Sequence, residues 1–492
     1  MDEPLATLAF IAVLGVTSML GFTARWFHRR DVLPHLEGWA LGDRRFGTGV
    51  TWFLLGGSIF TAYTFAAVPG LAYGTGALGF FPLTYTVILC PVLFVLLPRL
   101  WAAARRTGAV TVADYVRVRY DSPALMLVVA LTGVLATMPY IALQLLGVRA
   151  VLAAGGLYPE GLAGDLALTA VFAVLAGATF RSGLRVPAVI SLVKGVLIFG
   201  VAFGVLAVAV GRLGGFATVF ARAERELHDA GGGGALLLDP ALHPAFATLA
   251  LGSALALPMY PHVLTAAFAA ESPDALRRST VAMPAWTFVL GLFGLLGVAA
   301  LAAGVVAPVG NAEVAVPLLV RDVLPELASG AVFGALAVGA LVPAAVMSVA
   351  VAALFTRNVY AEFFLPHATP KHEVRVARWV SLLAKVAALA FVFGLREQDA
   401  INLQLLGGIW ILQTFPIVAV GLFTGWWHRS ALLAGWAAGM VVGTVLAVAG
   451  GFTSVVAIGP VLLYVAVVAL AVNLAVAALL TPVFTRRAEV VP

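Results

Sequence analysis

Charge is what this sequence has least of. Of 492 residues, 11% are Asp, Glu, Lys or Arg and 62% are apolar. The mean hydropathy is +1.04. A soluble domain carries about 25% charged residues, so a water-soluble fold is excluded and a polytopic helical membrane protein is implied. One cysteine, Cys90, lies inside an apolar run, which excludes a disulfide within the chain. There is no Cys-x-x-Cys, no His-Glu-x-x-His, no Walker-type glycine loop and no dinucleotide-binding glycine pattern in a strand-turn-helix context. No polar stretch is long enough for a soluble catalytic domain. The expectation is no enzyme, no cofactor and no bound metal. Lysine is scarce too, at 3 against 26 arginines.

What is present is apolar run after apolar run. The first follows Met1-Asp2-Glu3 and continues to about Phe27. A secretory signal needs a basic start, so this run reads as a retained first span. About 13 spans follow from hydropathy, near 5–27, 47–72, 77–98, 123–154, 163–180, 187–211, 246–268, 280–306, 328–356, 376–395, 400–424, 431–450 and 455–481. Arginines set the orientation. Arg29, Arg30, Arg44, Arg45, Arg99, Arg105, Arg106, Arg117 and Arg119 fall in loops on one side, as do Arg277, Arg278, Arg357, Arg429, Arg486 and Arg487. The opposite loops hold few, mainly Arg212, Arg222, Arg225, Arg321 and Arg396. The positive-inside rule places the N-terminus outside and the C-terminus in the cytoplasm of a bacterial inner membrane. The net charge of +6 is then membrane topology. The lipid bilayer is the expected surrounding, with no nucleic acid and no obligate protein partner.

One lysine stands in the middle of an apolar helix, in Ser191-Leu192-Val193-Lys194-Gly195-Val196. An ammonium at bilayer depth is kept only with a partner, a cavity or a task. Two spans are also interrupted. Span 2 reads Gly56-Gly57-Ser58-Ile59-Phe60-Thr61-Ala62-Tyr63-Thr64, then Val68-Pro69-Gly70. Span 7 reads Leu257-Pro258-Met259-Tyr260-Pro261-His262. Paired interruptions five spans apart point to an inverted-repeat transporter, whose broken helices expose backbone groups at the midplane. The expected organisation is a first helix and loop (1–46), a first repeat of spans 2–6 (47–212), a second of spans 7–11 (246–424), and peripheral helices with a short tail (425–492).

At these motifs the chain resembles the sodium:solute symporters. Thr111-Val112-Ala113-Asp114-Tyr115 with Arg119-Tyr120, and Ala344-Ala345-Val346-Met347-Ser348 ending at Asn358-Val359-Tyr360, carry the likeness. Ser182-Gly183-Leu184-Arg185, Tyr260-Pro261-His262 and the run Ile401 to Pro416 resemble the bacterial monocarboxylate permease branch. The resemblance implies an all-α, LeuT-like fold of the APC superfamily with a 5+5 inverted repeat. It also implies uptake of short monocarboxylates such as lactate, pyruvate, propionate or acetate by alternating access.

Relatives that couple to sodium hold it between spans 2 and 9. Thr61 and Thr64 match on span 2 and Ser348 on span 9, but the next position is Val349, which has no side-chain oxygen. Many relatives carry an Asp on span 6 and a Gln three residues on; here Ser191 and Lys194 align there. A hard cation needs a full oxygen shell and no adjacent positive charge. In related folds without sodium coupling, a lysine on this core helix replaces the cation. The coupling partner is therefore expected to be a proton, with sodium disfavoured. Burial disfavours the charged form of an amine, which lets it load and release a proton.

For the substrate, a charged head suits helix breaks with hydroxyl and amide donors. The candidates are Tyr63, Thr64, Tyr140, Gln144, Tyr260, His262 and Gln404, with Trp410 walling off the apolar tail. Tyr140 and Gln144 share a helix face, four residues apart. Pro139 precedes them and is expected to bend that helix inward. Alternatives are a sodium-coupled symporter of another small solute, such as alanine or proline, a membrane sensor module, and a divalent-metal transporter of related fold.

Overall fold

In hydrocarbon every backbone N–H and C=O must be paired within its own segment, so each apolar run becomes a helix. The computed structural model describes residues 4–23, 35–158, 161–229, 234–308, 310–394 and 400–490. Arg29, Arg30 and Arg396, used above for orientation, lie outside the described residues, as does the acidic start Met1-Asp2-Glu3.

The helices run in chain order α1 (Pro4–Thr23), α2 (Leu36–Leu41), α3 (Thr48–Ile59), α4 (Val68–Thr75), α5 (Phe81–Thr107), α6 (Val112–Tyr120) and α7 (Pro123–Ala154). Then come α8 (Leu162–Ser182), α9 (Arg185–Leu213), α10 (Phe216–Asp229), α11 (His243–Ala256), α12 (Pro261–Phe268), α13 (Pro273–Val281) and α14 (Pro284–Ala302). The rest are α15 (Ala315–Val323), α16 (Glu326–Phe355), α17 (Pro370–Gly394), α18 (Ala400–Ile411), α19 (Gly421–Phe423), α20 (Arg429–Ala449) and α21 (Val465–Val490).

Among the described residues 11 helices are long and apolar enough to cross a membrane, or up to 12 with the bent pair Thr48–Ile59 and Tyr63–Thr75. Helix α8 is 21 residues long, Leu162–Ser182, and Leu162–Ala173 is an apolar stretch within it. Each of the 13 expected spans has a helix at its place, though among the described residues the count of 13 membrane-crossing helices is not confirmed.

The last expected span begins late. Residues 455–464 form an antiparallel hairpin of β1 (Val455–Ile458) and β2 (Val461–Tyr464), in register Ile458↔Val461. The reason is local. Two apolar runs, Val455–Ile458 and Val461–Tyr464, flank Gly459-Pro460; Gly459 takes a left-handed φ of +60°, and proline cannot continue a helix there. Helix α21 starts only at Val465.

Packing explains the composition. Helix α16 is buried over nearly its whole length and is apolar on every face, as a central helix must be. It packs against α1, α7, α9, α12 and α17. Helices α20 and α21 pack mainly on each other at the edge. Helix α7 continues through Pro139. The polar ends are capped by side chains: Thr111 and Asp114 form a reciprocal capping box on α6, and Ser122 and Ser272 cap α7 and α13.

Both interrupted spans are broken in the fold. Helix α3 ends at Ile59, and a π-helical turn, Tyr63–Ala67, leads into α4 after a bend of 52°. Helix α11 passes through one tight turn, Leu257–Met259, to an extended Tyr260, from which α12 starts.

Candidate substrate and ion site at two helix breaks

The α3 break is stabilised by side chains from other helices. Gln144 on α7 accepts a hydrogen bond from the Ala62 amide (2.9 Å) and donates to its own helix at the Tyr140 carbonyl (3.0 Å). Both ends of this amide are engaged, so Gln144 braces the break. Thr61 Oγ1 accepts from the Tyr63 amide at 3.2 Å.

Lys194 supplies the second brace. Its Nζ donates to the Gly57 carbonyl at 2.6 Å and the Phe60 carbonyl at 2.8 Å. Nζ takes up the acceptors that end α3, where the helix dipole is negative. The whole side chain is buried, and among the described residues no carboxylate pairs with it. Gly57 packs against this pair: a Cβ there would lie in ordinary contact, 3.5 Å from Ser191 Cβ and 3.7 Å from Lys194 Cδ. Ser191 thus lies beside Lys194, with its hydroxyl donating to the Ala188 carbonyl at 2.7 Å. Ser348 is buried on α16, which packs on both α3 and α9, and its hydroxyl donates to the Ala345 carbonyl at 2.9 Å. The neighbouring Val349 is buried and adds no oxygen.

The second cluster gathers at the α11–α12 break. The rings of Tyr140, Tyr260 and His262 lie 5.1–5.4 Å from one another. Tyr260 Oη donates to the Gln404 carbonyl at 3.3 Å, which draws α18 to the break. Tyr63 sits across from Tyr85 of α5, with ring centroids 6.2 Å apart. The Tyr63 hydroxyl, Thr64 Oγ1, the Tyr140 hydroxyl, both His262 ring nitrogens and Gln404 Oε1 are buried without a hydrogen-bond partner of good geometry among the described residues. Orphaned buried polar atoms are rare, because each costs about 1–3 kcal/mol. Here six such atoms occur on residues of, or next to, two helix breaks.

Trp410 stands apart. Its indole donates to Thr444 Oγ1 on α20 at 3.1 Å. It lines an apolar cavity of about 220 Å³ with Leu135, Met138, Pro139, Phe391 and Leu406. Six residues separate it from Gln404, which turns it about 120° around α18. The structure does not bring it to the cluster.

Sequence reading passed over Tyr85 and Trp286. Trp286 on α14 stacks on Phe60 at the break, with centroids 5.6 Å apart. Neither residue carries a local motif. Arg44 ties the segment before α3 to the residues around it. Arg44 donates to Glu37 Oε1 (2.5 Å), to the Phe268 carbonyl (3.3 Å) and to the Ala109 carbonyl (2.5 Å). Beside it, Phe46 exchanges backbone bonds with Ala269 and Glu271.

A broken-helix core carrying buried polar groups without partners among the described residues is the arrangement of a membrane transporter. The profile of the sodium:solute symporter family matches residues 39–443. A monocarboxylate transport permease protein of Rhizobium johnstonii is 44% identical over 99% of this chain and 98% of its own length. The uncharacterised symporter YodF of Bacillus subtilis is 30% identical over 90% of this chain and 88% of its own. Among solved structures, a Na⁺-coupled sialic acid symporter captured in a substrate-bound outward-open state superposes with a TM-score of 0.79 at 14% identity, covering 97% of this chain and 98% of that one. A manganese transporter of Eremococcus coleocola gives 0.52 at 15% identity, covering 92% and 95%. The likeness to these structures is one of fold. The chain belongs to the sodium:solute symporter family. It is a multi-pass transporter and not an enzyme.

Proposed function

We propose that this protein imports short monocarboxylates with a proton across the bacterial inner membrane, with its N-terminus outside and its C-terminus in the cytoplasm. The observation that carries the coupling is Lys194 Nζ on the Gly57 and Phe60 carbonyls. These are acceptors a sodium ion would need, and an ammonium already holds them. Val349 gives no replacement ligand, and adding a cation beside a charged amine would be repulsive. Loading and releasing a proton at Lys194 makes or frees these acceptors at the break. That ties protonation to the geometry of the helix that also presents Tyr63 and Thr64.

For the substrate, the hydroxyls of Tyr63, Thr64 and Tyr140 and one His262 N–H are donors without acceptors. A carboxylate is an acceptor-only group with about four lone-pair sites. It fits this set, and buried apolar neighbours such as Phe65 suit a short tail. The similarity to a protein named a monocarboxylate transport permease supports the same reading. The two repeats would be residues 47–212 and 246–424, related by an axis in the membrane plane.

The test is uptake of labelled lactate, pyruvate or propionate into proteoliposomes under imposed proton or sodium gradients. Accumulation driven by the proton gradient, and competed by short monocarboxylates, is expected. Competition by sugars or dicarboxylates with none by short monocarboxylates would overturn the substrate assignment.

A further inference from the structure

A second lysine is buried in a span, and the transport reading leaves it without a role. Lys385 is the sixteenth residue of α17, about 22 Å along the helix from Pro370. Only 2% of it is exposed. Its Nζ bonds within its own helix, to Ser381 Oγ at 2.9 Å and the Ser381 carbonyl at 3.3 Å. Among the described residues no carboxylate pairs with it. A lone intramembrane cation without a counter-ion is costly and calls for an anion or a task.

The lysine lines a cavity of about 420 Å³ between α8 and α17. Apart from Thr169 the rest of the lining is apolar, including Phe172, Phe180, Trp379, Leu382 and Leu389. Trp379 is 60% exposed, so the cavity opens sideways at the surface that faces lipid. One buried ammonium at the wall of an apolar crevice is the complement of a carboxylate with an alkyl chain. The volume falls within the range of sites for small molecules of about 300–1,000 Å³.

We infer that this crevice binds a free fatty acid from the bilayer, its carboxylate on Lys385 Nζ and its chain along Phe172, Phe180 and Trp379. The ligand's two oxygens accept from the ammonium, which otherwise bonds to Ser381 of its own helix. The site is separate from the central cluster and does not depend on what the transporter carries.

The test uses the full-length protein in liposomes and a photoreactive diazirine analogue of decanoic acid, followed by peptide mapping. Labelling should fall in residues 169–180 and 379–389. Excess decanoate should compete at least fivefold better than decanol. Lys385→Met should lower labelling at least fivefold, and Lys385→Arg should retain it. Equal competition by decanol and decanoate would mean that the crevice takes any acyl chain, and the inference would be wrong. Unchanged labelling in a folded Lys385→Met protein would overturn it too. The comparison of decanoate with decanol needs no variant, so it stands even if Lys385→Met fails to fold.

Discussion

Replacing Lys194 with methionine should separate folding from coupling. The ammonium makes two hydrogen bonds, to the Gly57 and Phe60 carbonyls. Bonds from a charged donor contribute about 1.5–3 kcal/mol each, so Lys194→Met gives up about 3–6 kcal/mol of attraction. Against this, the variant no longer desolvates an ion, a penalty of several kcal/mol. The two terms nearly cancel, and methionine fills much of the same volume. The variant should therefore fold, with a melting temperature within a few degrees of the parent. The effect on coupling has no such offset. One proton carried with one monocarboxylate anion moves no net charge. A pH difference of one unit, alkaline inside, then supports about tenfold accumulation, and a potassium diffusion potential adds nothing. Lys194→Met should bring labelled lactate only to equal concentrations on both sides, while counterflow exchange continues. Val349→Ser alone should not confer sodium dependence, since the ammonium remains. The assay is proteoliposome uptake at fixed external pH with sodium replaced by choline. Loss of parent uptake in choline, or tenfold accumulation by Lys194→Met, would refute the reasoning.

Other perturbations test the surrounding contacts. Gly56→Ala places a Cβ 2.2 Å from Trp286 Nε1 and 2.4 Å from Cε2. It should cost about 1–3 kcal/mol or more in thermal unfolding, part of which Trp286→Phe in the same protein should recover. Tyr140→Phe removes a hydroxyl with no protein partner. If that hydroxyl donates to the carboxylate, KM for uptake should rise about 10- to 150-fold. Tyr464→Phe is the control: its hydroxyl is spent on the Leu405 carbonyl at 2.7 Å, so stability should change and KM should not. Outside the spans, burial raises the Asp114 carboxyl above its ordinary range, opposed by Arg357, the Val110 and Thr111 amides and Asn358. A raised carboxyl means that the folded state binds more protons than the unfolded one. Stability should therefore grow as pH falls through the raised value toward the ordinary one, and stay level above it. The melting temperature of the parent relative to Asp114→Asn should increase as pH is lowered toward the ordinary carboxylate value of about 4; a difference independent of pH would contradict this.

How much of this was legible beforehand depended on range. The membrane class, the helical spans and the two interruptions follow from local composition, because hydrocarbon leaves the backbone few choices. Gly56-Gly57 and Pro258 through Pro261 mark their breaks without any knowledge of neighbours. The same local rule missed the hairpin at 455–464, where ten apolar residues could be strand or helix and Gly459-Pro460 decided. The sequence also carried the intramembrane charge of Lys385 as openly as that of Lys194. It lay in a plain apolar helix with no break nearby to draw attention.

Pairing across the chain was another matter. Nothing local says that Lys194 reaches carbonyls 137 and 134 residues away, or that Gln144 divides its amide between Ala62 and Tyr140 while the His262 ring nitrogens find no partner among the described residues. Trp410 and Gln404 stand six residues apart on one short helix, yet the indole of the first donates to Thr444 and the backbone carbonyl of the second accepts from Tyr260. Sequence determined which residues are costly to bury in a bilayer. Only the packing of helices decided which of those costs are met by a partner and which are left open for a ligand, because that depends on contacts between segments far apart in the chain.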